Sequence, residues 1–205
     1  MKNVIAISAC LKYCSVAISY ENTLFEVNEN VDATAYLVYL TDVLIKQHHI
    51  NLQKIKGIIT ITGPGSFTGI RVAQSFAKGL ALSLGLPAIS INCFDVIRSI
   101  HEQEDCSNVV IVIKSEKDQI YYKIGDEIGI TTTKTLADKI ASGTVLMGDA
   151  IAEVVTHAKD KIIATIQISD FREAKRLLKF SHLITAKSTI SPFYISTAST
   201  SKQFL

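Results

Sequence analysis

A β-branched run, Ile58-Ile59-Thr60-Ile61-Thr62, leads straight into Gly63-Pro64-Gly65-Ser66-Phe67-Thr68-Gly69-Ile70-Arg71, and from Val72 to Leu84 apolar residues recur at helical spacing. A second short apolar run, Ala88 to Ile91, follows Leu86-Pro87. The pattern predicts strand, tight loop, helix, strand. Two strands joined through a helix of this length pair in parallel, because a crossover needs a dozen or more residues. An α/β fold follows.

The loop itself has two readings. Glycines permit positive φ and close backbone approach, and Ser66 or Thr68 can cap the helix. The helix then presents its unpaired N–H groups and positive dipole end to an anion, so Gly63, Gly65, Ser66, Thr68, Gly69 and Arg71 form a candidate nucleotide or anion loop. Equally, the glycines could solve only a packing problem. Pro64 removes one donor, and no Lys-Ser/Thr pair follows the last glycine as in a Walker-type loop. Both readings stay open on spacing alone.

The rest of the chain gives two amino-terminal strands, Val4 to Ile7 and Cys14 to Ile18, a third at Thr23 to Val27, and a helix from Ala33 to His49. After a helical stretch from Phe94, the polar segment Glu102-Gln103-Glu104-Asp105 marks a boundary, giving a first lobe of residues 1–102 and a smaller second lobe of residues 103–205. The second lobe is expected to hold strands at Val109 to Lys114, Gln119 to Ile124, Thr144 to Met147 and Ile162 to Ile168, and helices at Leu136 to Ala141 and Ala150 to Ala158. An amphipathic helix with a basic face is expected from Phe171 to Leu183, and a Ser/Thr-rich tail after it.

Composition limits the function classes. The 205 residues are 48% hydrophobic, enough for one substantial core or two small ones. A net charge of +2 argues against direct capture of nucleic acid, which wants a strong basic patch. Cys10, Cys14, Cys93 and Cys106 lack CxxC or zinc-site spacing and read as buried thiols. With no secretory pattern at the start and no run of about 18 apolar residues, the cytoplasm is expected and a membrane is not.

No catalytic constellation emerges. His48 and His49 are adjacent and diverge by about 100° on a helix, so they read as exposed helix-end residues, while His101, His157 and His182 stand alone. Gly65-Ser66-Phe67-Thr68-Gly69 is not a Gly-x-Ser-x-Gly nucleophile elbow. A nucleotide-dependent kinase or hydrolase built on the glycine loop would need a carboxylate, and Asp42, Asp95 and Asp149 are not grouped by sequence.

The first long helix is apolar around much of its circumference. Tyr36, Leu37, Leu40, Val43 and Leu44 share one face, while Val38, Tyr39 and Ile45 lie toward other sides. Such a helix is either buried within its own chain or covered by a partner, with Tyr36 or Tyr39 suited to anchor an interface.

The motif GPGSFTGIR, the following Ala77-Lys78-Gly79-Leu80-Ala81, the amino-terminal strand pair and Leu86-Pro87 together resemble the TsaB family of tRNA threonylcarbamoyladenosine biosynthesis proteins over roughly residues 1–100. Beyond that stretch, Gly148-Asp149 and Pro192-Phe193-Tyr194 are similar to family features. The resemblance implies an actin-like, ribonuclease-H-like lobe plus a smaller α/β lobe. It also implies an accessory subunit, not an enzyme by itself, that pairs with a TsaD-like catalytic paralogue. A TsaE-like ATPase would join the complex, which would use ATP and magnesium and through which tRNA would be reached. Pairing would use the two long helices, through Tyr36, Leu37, Leu40 and Val43 on the first and Ala73, Phe76, Ala77 and Leu80 on the second. The same helix pair would also suit a homodimer of the isolated chain. Four positions depart from the family pattern. Ser8 stands where an aspartate is usual, Ala33 and Ala35 stand in place of His and Glu, and Ser196 stands in place of arginine. A metal site is therefore not expected, and no cofactor is expected on this chain alone.

Overall fold

The computed structural model describes residues 3–100, 108–115, 118–168, 173–186 and 188–191. The chain divides into two units, residues 1–102 with 170–193 and residues 103–169 with 194–205.

In the first unit β1 (Val4–Ser8), β2 (Cys14–Tyr20), β3 (Thr23–Glu29), β4 (Gly57–Gly63) and β5 (Ala88–Asn92) make one sheet in the order β3-β2-β1-β4-β5. The first three strands pair antiparallel, with Ile5 opposite Ile18 and Ile7 opposite Val16. β4 joins β1 in parallel and β5 joins β4 in parallel. The crossovers are α1 (Ala33–Gln47) and α2 (Phe67–Leu84), and α3 (Cys93–Arg98) follows β5. α1 and α2 cover one sheet face, where Ile5, Ile7, Val16, Ile18 and Ile58 meet Leu37, Leu44, Ala73, Ala77 and Ala81. Each buried Val, Leu or Ile side chain among them contributes roughly 1.5–3 kcal/mol by leaving water.

The second unit repeats this topology. β6 (Val109–Lys114), β7 (Gln119–Ile124), β8 (Glu127–Thr132), β9 (Thr144–Gly148) and β10 (Ile162–Gln167) run in the order β10-β9-β6-β7-β8. Its core places Val110, Val112, Ile120, Tyr122 and Leu146 against Leu136 of α4 (Thr133–Lys139) and Ile151 and Val154 of α5 (Ile151–Ala158). β8 was not expected from sequence. It is an edge strand with no fully buried residue, so the apolar alternation that signals a half-buried strand is weak there.

α6 (Glu173–Leu177), continued by a 3₁₀ segment Leu178–Leu183, returns to the first unit. It packs on β1, β2 and β4, on the face opposite α1 and α2. Val4, Ala6, Ser8, Ser15, Ala17 and Ser19 alternate onto that face, and their small side chains let a helix approach closely. Every residue of β1, β2 and β4 is consequently buried. The expectation that residues 103–205 form one second lobe is thereby corrected, because α6 buries Ala174, Leu177 and Leu178 in the first unit instead. The proposed boundary segment Glu102-Asp105, Phe171 of the expected helix, and the tail with Pro192, Phe193, Tyr194 and Ser196 lie outside the described residues, as do Cys106 and His101.

Two outcomes follow from this packing. Gly79 lies on the exposed side of α2, with nothing within 4 Å of where a Cβ would stand. Gly79→Ala therefore raises stability by about 0.5–1 kcal/mol, read as an upward shift in thermal midpoint. Cys14 is buried in β2, and burial first, then the Glu173 carboxylate, push its thiol from 9.0 up to about 11. The thiol stays protonated in the folded protein while the unfolded chain ionises, so the unfolded state binds fewer protons and stability falls as pH rises between those values. The fall is at most about 1.4 kcal/mol per pH unit. Denaturant titrations at stepped alkaline pH measure it, and Cys14→Ala flattens the slope.

Candidate functional site

The glycine loop takes its shape from the segment that leaves β1. β4 ends at Gly63, the Gly63–Pro64 peptide is cis, and α2 begins at Phe67, earlier than the helical apolar spacing suggests. Ser66 is the N-cap: its Oγ accepts from Gly69 N–H at 3.1 Å, and its carbonyl accepts from Ile70 N–H at 2.9 Å. Its own N–H donates to the Cys10 carbonyl at 2.6 Å, and Cys10 Sγ donates to the Pro64 carbonyl at 3.1 Å. A Cβ on Gly69 would stand 1.8 Å from the Ala9 carbonyl oxygen, and one on Gly65, where φ is +153°, would stand 2.3 Å from that of Cys10. The space over both glycines is thus filled by the protein's own backbone. The packing reading of the loop thus accounts for Gly65 and Gly69, which the approach of Ala9 and Cys10 requires.

Thr68 and Arg71 belong to the first turns of α2 rather than to a loop, and the Arg71 guanidinium stacks 3.7 Å over the Phe67 ring. Gln74, nearly fully buried, donates to the Ile61 carbonyl at 2.9 Å and fixes α2 against β4. A pocket of about 190 Å³ lies between the starts of α1 and α2, bordered by Lys12, Tyr13, Asp32, Thr34, Ser66 and Thr68. Asp32 caps α1 through Thr34 N–H and Oγ at 2.8 Å each, and those bonds hold its carboxyl below the usual range. Its negative charge sits where an anion would otherwise meet the helix end.

Sequence reasoning missed Glu173. Its carboxylate is fully buried and accepts from Ser8 Oγ, from Cys10 N–H at 3.3 Å and from Leu11 N–H at 3.2 Å. Next to it, Ala174 N–H donates to Ser15 Oγ at 3.2 Å. The residue lies about 165 positions from its partners, and a glutamate opening an amphipathic helix gives no signal that it will turn inward.

Of the residues expected to meet a partner, the structure separates two groups. Leu37, Ala73 and Ala77 are fully buried against the sheet, and this is the correction: they hold the lobe together. Leu40, Phe76 and Leu80 are half-buried beside that core. Tyr36 is 47% exposed, Tyr39 60% and Val43 36%, and with Leu40 they form one stripe on α1, since positions i, i+3, i+4 and i+7 share a helix face; Tyr39, expected toward another side, is thereby corrected to the face of Tyr36, while Leu37 and Leu44 turn to the core. Val38, also 60% exposed, lies on another side.

The remaining candidates do not converge. His48 is not simply exposed: it ends α1 and stacks on Phe25 at 4.1 Å between ring centroids. Asp42 pairs with Lys46 on the surface of α1. Asp149, in the second unit, accepts from Lys114 N–H at 2.8 Å, and burial raises its carboxyl pKa. Cys10, Cys14 and Cys93 are buried and form no disulfide. Among the described residues no group of three or more His, Cys, Asp or Glu could hold a metal, and no helix is long and apolar enough to cross a membrane.

Comparison with known proteins adds the family. A tRNA threonylcarbamoyladenosine biosynthesis protein TsaB of Buchnera aphidicola subsp. Baizongia pistaciae is 28% identical over 126 residues, 60% of this chain and 57% of that one. The protein of the same name from Escherichia coli is 27% identical over 123 residues, 58% of this chain and 53% of that one. The chain spans about half the length of the curated relatives it matches. The solved structure "YeaZ from Pseudomonas aeruginosa" superposes with a TM-score of 0.76 at 19% identity, covering 95% of this chain and 100% of that one, which fixes the two-lobed α/β fold. Residues 33–191 match the family model described as TsaD, tRNA N6-adenosine threonylcarbamoyltransferase. With that match spanning more than half of its residues, the chain belongs to the family described as TsaD, tRNA N6-adenosine threonylcarbamoyltransferase, and is similar to TsaB proteins.

Proposed function

We propose that the protein is an accessory subunit in tRNA threonylcarbamoyladenosine synthesis, binding a TsaD-like catalytic paralogue through α1 and leaving the transfer chemistry to that partner. The observation that carries this reading is the stripe of exposed Tyr36, Tyr39 and Val43, with half-buried Leu40 between them, on a helix whose other face is already committed to the core. Aromatic anchors of this kind dominate the energetics of protein interfaces. The names of its TsaB relatives support the pathway, and the family-model match over residues 33–191 contains α1 and α2. ATP, magnesium, a TsaE-like ATPase and tRNA would enter through the assembled complex.

The reading of the chain as a free-standing kinase or hydrolase is not favoured. It needs a carboxylate at the glycine loop, and of the candidates named from sequence Asp42 pairs with Lys46 on the surface of α1 while Asp149 lies in the second unit.

The test is mixing with the TsaD-like paralogue from the same source, followed by size exclusion and by an assay of tRNA modification. Tyr36→Ala and Tyr39→Ala weaken pairing by about 30-fold, the scale of a 2 kcal/mol hot spot, while leaving the thermal midpoint close to that of the parent. Leu37→Ala instead destabilises the lobe by roughly 2–5 kcal/mol, as truncation of a buried leucine does. Normal pairing by well-folded Tyr36 and Tyr39 variants would overturn the proposed face. Loss of self-association in the same variants, with pairing intact, would assign the stripe to a homodimer.

A further inference from the structure

We propose that residues 8–11 form an internal anion site whose resident ligand is the chain's own Glu173 carboxylate, and that this clasp fastens α6 to the first lobe. Three donors from one short stretch converge on it. Ser8 O–H and Cys10 N–H meet Oε2, and Leu11 N–H meets Oε1. Backbone N–H groups in successive positions make a concavity suited to an oxyanion, and hydrogen bonds to an ionised acceptor are roughly twice as strong as neutral ones. The group is completely shielded from water, where an ionised carboxylate survives only if its oxygens are satisfied.

The site has room for one charge. Cys10 N–H also approaches Ser8 Oγ, at 3.4 Å, so a side chain at position 8 already shares a donor with the glutamate. A carboxylate placed at position 8 would face Glu173 at hydrogen-bond distance, and two like charges cannot both stay ionised so close together. The neighbouring bond, Ala174 N–H to Ser15 Oγ, ties the same turn of α6 to β2, so losing the clasp releases a helix that covers both strands.

The experiment uses the full chain and three variants: Glu173→Gln, Ser8→Asp, and the exchange Ser8→Asp with Glu173→Ser. The amide in Glu173→Gln places an N–H where an acceptor is needed, and Ser8→Asp adds a second charge. Each single variant lowers the thermal midpoint by about 10 °C, and the exchange, which returns one carboxylate to the site, recovers at least half of the larger loss. Additive losses in the exchange, or a Glu173→Gln midpoint equal to the parent's, would overturn the proposal. A second readout remains informative even where the aspartate variant does not fold. In native Glu173→Gln, thiol labelling resolved by tryptic cleavage at Lys12 separates Cys10 from Cys14. Both label about 10-fold faster than in the parent while Cys93, on α3, keeps its rate. Unchanged labelling of Cys10 and Cys14, or equal acceleration of all three, would equally refute a local clasp.

Discussion

Everything in the first lobe hangs on the few backbone groups that follow β1. The carbonyls of Ala9 and Cys10 receive the glycine loop, through the close approach at Gly69 and the Ser66 N–H bond. The N–H groups of Cys10 and Leu11 receive the Glu173 carboxylate. Donors and acceptors of one turn thus face two different helices, α2 and α6, which come from distant parts of the chain. Because buried backbone groups must be paired, neither attachment can be released without leaving orphaned polar atoms in a dry interior.

This arrangement accounts for Gly65 and Gly69 in a stretch with the look of a phosphate-binding loop. Glycine-rich turns can hold a ligand's oxygens or the protein's own carbonyls by the same means, since both need a backbone without Cβ. Here the carbonyls are closer than any side chain would allow. In the second unit the chain leaving β9 also stays close to its neighbour strand: Asp149 N–H donates to the Val112 carbonyl within β6 at 3.3 Å.

The helices divide their labour by face. α1 turns Leu37, Thr41 and Leu44 inward and leaves Tyr36, Tyr39 and Val43 outward. Its apolar character on two sides therefore reflects two different demands, a core and an open surface. α2 keeps its smallest residues, Ala73, Ala77 and Ala81, against the sheet, where close approach needs them. A hydrophobic pattern identifies both helices but cannot say which apolar residue serves which side, so Leu37, Ala73 and Ala77 read from sequence as interface when they are core.

The sequence by itself determined the element order from β1 to β5, the parallel crossover through α2 and the α/β character of the chain, because strand and helix periodicity are local properties with strong signals in β1, β2, β4, α1 and α2. It also located the loop that matters. Tertiary structure alone decided what fills that loop, which side of α1 remains open, and where the chain after residue 172 belongs. These depend on contacts such as Glu173 with Ser8, between residues about 165 positions apart, and no local pattern encodes a partner at that distance. Edge strand β8 shows the same limit from the other side: half-exposed, it carries too little hydrophobic alternation to announce itself, and only its pairing with β7 makes it a strand.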